Sequence, residues 1–100
     1  MEKQKAQNTL FFLQPKIDII NHLVDSFFSL HQGSINIKAN ELSKFAITAH
    51  RISISAETIR ETLRQLDKLN ELQRIDRIKP IRKSIVTYWE FERNAHFNGL

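Results

Sequence analysis

The chain of 100 residues contains no cysteine, which excludes a disulfide framework and a thiolate metal site and leaves packing alone to hold the core. Glycine is nearly as scarce. Gly33 and Gly99 are the only two, so no glycine-rich loop can cradle a phosphate. The longest apolar run, Leu10–Leu13, falls far short of the roughly 20 residues needed to cross a bilayer. No secretory cleavage signal follows the polar amino terminus, so the expected location is cytoplasmic and no membrane partner is assigned. Repeats and low-complexity tracts are also missing, and the chain reads as one unit.

Catalysis lacks its parts as well. There is no nucleophilic Cys and no carboxylate pair in apolar surroundings; Asp18, Asp25 and Asp67 lie on helical segments among polar neighbours and read as solvated charges. His22 and His31 are nine positions apart on one predicted helix, whereas ligands on a helix need separations of three or four. They read as a surface and a boundary residue. The sequence therefore assigns no catalytic residue, no metal and no cofactor.

What is present is a basic domain of modest size. Hydrophobic residues make up 41% of the chain, enough for a single core but small enough that a partner subunit can add stability. Lys and Arg outnumber Asp and Glu by 15 to 11, a formal charge of +4 that favours a polyanionic partner. Between Arg74 and Lys83, the cations Arg74, Arg77, Lys79, Arg82 and Lys83 face Asp76 alone, so the excess concentrates in one short segment.

Residues 1–14 read as an N-terminal extension whose Leu10, Phe11, Phe12 and Leu13 either pack on the domain's own core or seal a dimer. A domain over 15–92 follows, and 93–100 form a tail in which Phe97 and Leu100 pack locally or across a dimer. Pro15 suits the first turn of a helix carrying Ile17, Ile20, Val24, Phe27 and His31 at helical spacing, and Gly33 suits a left-handed exit from it. Ser34–Ile37 alternates as a short strand that needs a sheet made elsewhere. A short helix from Ala39 or Asn40, capped by Asn40 and ending near Ile47, buries Leu42, Phe45 and Ala46.

The stretch Ser55–Asn70 is the most informative. Ile59, Leu63, Leu66 and Leu69 form an apolar stripe, while Arg60, Arg64 and Lys68 fall on another face where long cations reach outward. Ser55 suits the cap, and Glu57 places a carboxylate where the helix dipole favours one. Beyond it, Leu72, Arg74, Ile75 and Ile78 alternate imperfectly, Lys79 to Lys83 make a basic loop with Pro80, and Ser84–Glu92 resumes as a strand. In that strand Ile85, Thr87, Trp89 and Phe91 share a face, while Val86 and Tyr88 point the other way.

The order helix, strand, helix, helix, strand, basic loop, strand resembles the winged helix-turn-helix family from about Pro15 to Glu92. That implies an α+β, mainly α fold: a three-helix core with a small antiparallel sheet and a basic β-hairpin wing. The segment Ile54–Leu66 is similar to the Ser-x-x-Thr-Val-x-x-x-Leu-x-x-Leu start of recognition helices in bacterial regulators of the GntR type, with Ile59 in the valine's place. The turn before Ser55 is longer than the family's short one, and no room remains for an effector-binding domain, which argues against a metabolite sensor.

The resemblance implies double-stranded DNA as partner. The Ser55 helix would enter the major groove, with Ala56, Glu57, Arg60, Glu61 and Arg64 nearest the bases and with Ser55 and Lys68 also in the DNA-binding set. Arg77, Lys79, Arg82 and Lys83 would neutralise phosphates from the wing; Thr48, His50, Arg51 and Ser53 would touch the backbone from the turn. A homodimer reading a palindromic site, joined through Leu10–Leu13, would act in transcriptional control or in replication or partition of a plasmid or phage. The competing expectations are a winged helix used for protein contact and, more remotely, RNA binding, for which no aromatic pair has the usual strand spacing.

Overall fold

The computed structural model describes residues 2–93, with side chains from residue 7 onward. Its elements run α1 (Glu2–Leu30), β1 (Asn36–Ile37), α2 (Ala39–His50), α3 (Ala56–Lys68), a 3-10 turn (Leu72–Arg74), β2 (Ile78–Lys83) and β3 (Val86–Glu92). The fold is α+β and mainly helical, with the three strands antiparallel in the order β1-β3-β2. The expected packing of Phe97 and Leu100 lies outside the described residues.

Helix α1 is longer than expected because its apolar stripe ignores Pro15. Leu10, Leu13, Ile17, Ile20, Val24 and Phe28 recur every three or four residues; Leu10 is half-buried and the other five are buried. Pro15 is therefore inside the helix, on its exposed side, and not in its first turn. There the Phe11 carbonyl that loses its helical partner lies on the side open to water. The Leu10–Leu13 run divides accordingly: Leu10 and Leu13 join the core, while Phe11 and Phe12 point away at 77% and 75% exposure. Gly33 does not take the left-handed conformation; the chain leaves α1 through a turn in which the Ser34 amide donates to the His31 carbonyl at 3.0 Å. His31 and His22 are both exposed.

Asn40 does not cap α2. Lys38 occupies that position without a side-chain bond, and the helix runs three residues beyond Ile47 to His50. Arg51, at φ 54°, then ends it. Ser43 Oγ donates to the Ile54 carbonyl at 2.7 Å, tying the connection of residues 51–55 back to α2. α3 begins as its residues dictate: Ser55 Oγ accepts from the Thr58 amide at 3.0 Å. Ile59, Leu63 and Leu66 are buried with Thr62, whose hydroxyl satisfies itself on the Thr58 carbonyl at 2.8 Å. The helix ends in a Schellman motif, with Asn70 at φ 56° and the Glu71 amide donating to the Leu66 carbonyl at 2.8 Å.

The residues after Asn70 make no strand until Ile78. Leu72 and Ile75 are buried from the 3-10 turn and its exit, and Asn21 of α1 holds that exit by donating to the Arg74 carbonyl and accepting from the Asp76 amide, both at 2.9 Å. Lys79–Lys83 is strand and not loop, because the pairing runs unbroken from Ile78↔Phe91 to Lys83↔Val86. Pro80 is tolerated there because β2 is an edge strand. The turn is only Ser84 and Ile85, with Ser84 at φ 58°.

β1 joins through Asn36↔Glu92 and Ile37↔Phe91, the expected union of Ser34–Ile37 with the carboxyl-terminal strands. Phe91, Ile37 and Ile78 are buried against the helices, and Trp89 packs at their margin. Each such fully buried side chain contributes about 1.5–3 kcal/mol by leaving water. Among the described residues no buried side-chain polar atom lacks a partner.

Candidate nucleic-acid interface

α3 and β3 face each other across a cleft of about 500 Å³, closed at one end by the start of α2. Arg60, Leu63, Arg64 and Asp67 form one wall, Val86–Trp89 the other, and Lys38, Ala39 and Asn40 the end. The helix positions its arginines through its apolar stripe: burying Ile59, Leu63 and Leu66 turns Arg60 and Arg64 toward solvent. The charged helix face and the hairpin thus border one concavity.

The arginines on α3 are not free. Arg64 Nη2 lies 2.7 Å from Glu57 Oε1 and 2.6 Å from Glu61 Oε2, while its Nε donates to Glu61 Oε2 at 3.0 Å. The hydrogen bond from Arg64 holds the Glu57 carboxyl below its ordinary range, and the same guanidinium, aided by the Gln65 amide, does so for Glu61. Reciprocally, those two carboxylates, Glu61 foremost, push the Arg64 pKa up. Arg60 donates to Asn40 Oδ1 at 3.1 Å and reaches Glu57 at 3.4 Å. Three carboxylates, Glu57, Glu61 and Asp67, balance the cations Arg60, Arg64 and Lys68 along this helix. These are exposed pairs, each worth little to stability.

The basic segment is also less concentrated than its sequence suggests. Arg74 pairs with Glu71 at 3.0 Å, and Lys79 pairs with Glu92 at 2.7 Å, which raises the Lys79 pKa. Arg77, at φ 64°, turns back to α1, where it reaches Asp25 at 3.5 Å and lies 5.5 Å from the Phe28 ring centre. It belongs to the packing of α1 and not to the hairpin tip, and Arg93 approaches the same ring at 5.2 Å. Among the described residues, Arg82 and Lys83 remain exposed near the turn with no salt bridge, as do Lys68 at the end of α3 and Arg51 before it.

Ser55 is engaged as the α3 cap, also touching Thr58 Oγ1 at 2.9 Å, and Ala56 packs partly against the core. Thr48 and His50 are the last turn of α2, not an irregular linker: Thr48 Oγ1 donates to the Lys44 carbonyl, and His50 Nε2 meets Ser26 Oγ at 2.7 Å. Sequence reasoning missed Asn40 as the partner of Arg60 and missed Lys38, which closes the cleft and lies 3.9 Å from the buried Glu90. It also missed Lys44, exposed one turn beyond Asn40 on α2.

No group of three or more His, Asp or Glu side chains among the described residues could hold a metal ion. Among the same residues, no helix is long and apolar enough to cross a membrane. No protein-family model, curated protein or solved structure matches this chain.

Proposed function

We propose that this chain is a winged helix-turn-helix DNA-binding protein, with α3 read into the major groove and the β2–β3 hairpin, as its wing, laid along the backbone beside it. The observation that carries the reading is the shared cleft: Arg60 and Arg64 on one wall and the hairpin strand on the other, with the unpaired Arg82 and Lys83 continuing the basic edge past it. A duplex presents a groove and its flanking phosphates at that spacing of functions, and guanidinium groups recognise guanine edges with two hydrogen bonds each. The carboxylates of Glu57 and Glu61 act as placeholders that pre-orient Arg64 and give way to phosphate or base acceptors. Arg51 and Lys68 add backbone contacts at the two ends of the helix. The role is control of transcription, or accessory work in replication or partition of a small replicon, by a homodimer on a two-fold site.

The test is selection of bound duplexes from a random pool at moderate salt, repeated with Arg60→Ala and with Lys83→Ala. The first should change the recovered sequence at one base position, a loss of about 1–3 kcal/mol of discrimination there, and the second should weaken binding to every sequence alike. A second reading, a protein-contact module, draws support from the exposed Phe11 and Phe12. Association with a partner protein that is indifferent to salt, with no duplex bound, would favour it.

A further inference from the structure

The hairpin ends in an apolar point for which the fold has no use. Two-residue hairpin turns favour Asn, Asp and Gly, yet here the second turn residue is Ile85, at 97% exposure the most exposed large hydrophobic side chain among the described residues, with Val86 beside it in the chain at 58%. The sheet's contact with the core ends at Ile78, Trp89 and Phe91, well short of the tip. An aliphatic group at the end of a paired two-stranded projection is held out to be inserted into something.

The register identifies what. Directly opposed residues of an antiparallel pair share a face, so Lys83 projects with Val86 to one side of the ribbon and Arg82 with Thr87 to the other. Among the described residues, neither cation forms a salt bridge. The tip therefore carries one apolar side chain at its point and one uncompensated positive charge on each face. Cations on both flanks of an apolar point match a narrow groove with an anionic wall on each side. The DNA minor groove, about 6 Å wide between its phosphate walls, is such a groove, and aliphatic side chains including Ile act there as wedges between base pairs.

We infer that Ile85 is a DNA-bending wedge: it enters the minor groove next to the α3 site, inserts between two stacked base pairs and kinks the duplex, while Arg82 and Lys83 grip the phosphates on either side. The inference rests on the DNA-binding reading above and assigns it a mechanical consequence. The kink belongs at a pyrimidine–purine step, which unstacks most cheaply.

The experiment uses the full chain and a selected duplex of about 30 base pairs, short against the persistence length of DNA, carrying a fluorescence donor and acceptor at its two ends. Wild type should bring the ends together by a bend of roughly 20–90°. Ile85→Ser, at a position with no packing to lose, should bind within about tenfold of wild type and leave the duplex straight. Wild type that binds without bending, or Ile85→Ser that bends equally, overturns the wedge and leaves the DNA reading standing. Failure to bind any duplex overturns both. So does uptake of wild type, but not Ile85→Ser, on vesicles of anionic phospholipid without duplex binding, which assigns the tip to a lipid surface.

Discussion

Arg64 shows how an exposed guanidinium is held in place by its own helix. Its two carboxylate neighbours sit one and two turns back on α3, so the helix itself supplies the pairing and fixes where the guanidinium points. Replacing both neighbours by Glu57→Gln and Glu61→Gln should release it and remove two charges that repel a duplex, raising duplex affinity by about threefold to tenfold at low salt, read by fluorescence anisotropy. The sign of the pH effect follows from the lowered carboxyl pKa values. The stabilising pairing is complete above the ordinary carboxylate value of 4.5 and is lost as pH falls through the depressed values, while Arg64 stays charged throughout. Urea midpoints of wild type should therefore drop below pH 4.5 more than those of the double variant. At this scale the Ser55 cap was legible because a cap is a local matter of four residues. The Arg60–Asn40 contact was not, since it joins positions 20 apart in sequence that only the packing of α2 on α3 brings together.

Among the elements, α1 and the hairpin were misjudged for one reason: proline. Its local preference for a first helical turn made Pro15 look like a start, although Leu10 and Leu13 already continued the stripe of Ile17, Ile20 and Val24 through it. Pro80 looked like a break in the strand, although an edge strand leaves alternate amides facing solvent, where a missing hydrogen costs nothing. Pro15→Ala should restore a helical hydrogen bond and stabilise the protein by about 1–3 kcal/mol, visible as a raised urea midpoint. Ser55→Ala should act oppositely and cost about 1 kcal/mol, through the orphaned Thr58 amide. The helices α2 and α3 were legible because amphipathic periodicity is dense in a dozen residues. The end of α2 was not, since Arg51 at φ 54° does what a glycine would have announced.

For the molecule as a whole, affinity for a duplex should track the exposed cations of α3, its approach and the hairpin tip that form no salt bridge among the described residues. Arg51, Lys68, Arg82 and Lys83 give an expected slope of log affinity against log salt of about −4 per protomer, and Arg82→Ala with Lys83→Ala should flatten it by about 2. A slope unchanged by that pair would move the contact surface elsewhere. Self-association should depend on the two outward phenylalanines of α1, whose rings meet edge to face at 6.0 Å and touch no core. Phe11→Ser with Phe12→Ser should convert a dimer to a monomer in sedimentation velocity without lowering the thermal midpoint.

β3 lies at the centre of the sheet although it is the last of the described strands, and both β1 and β2 pair with it alone. On the ribosome, the helices emerge early and can gather, but the edges of Asn36–Ile37 and Ile78–Lys83 stay unzipped until Val86–Glu92 has been translated. A message cut short between the codons of β2 and those of β3 yields a product whose unpaired strand edges invite aggregation or proteolysis.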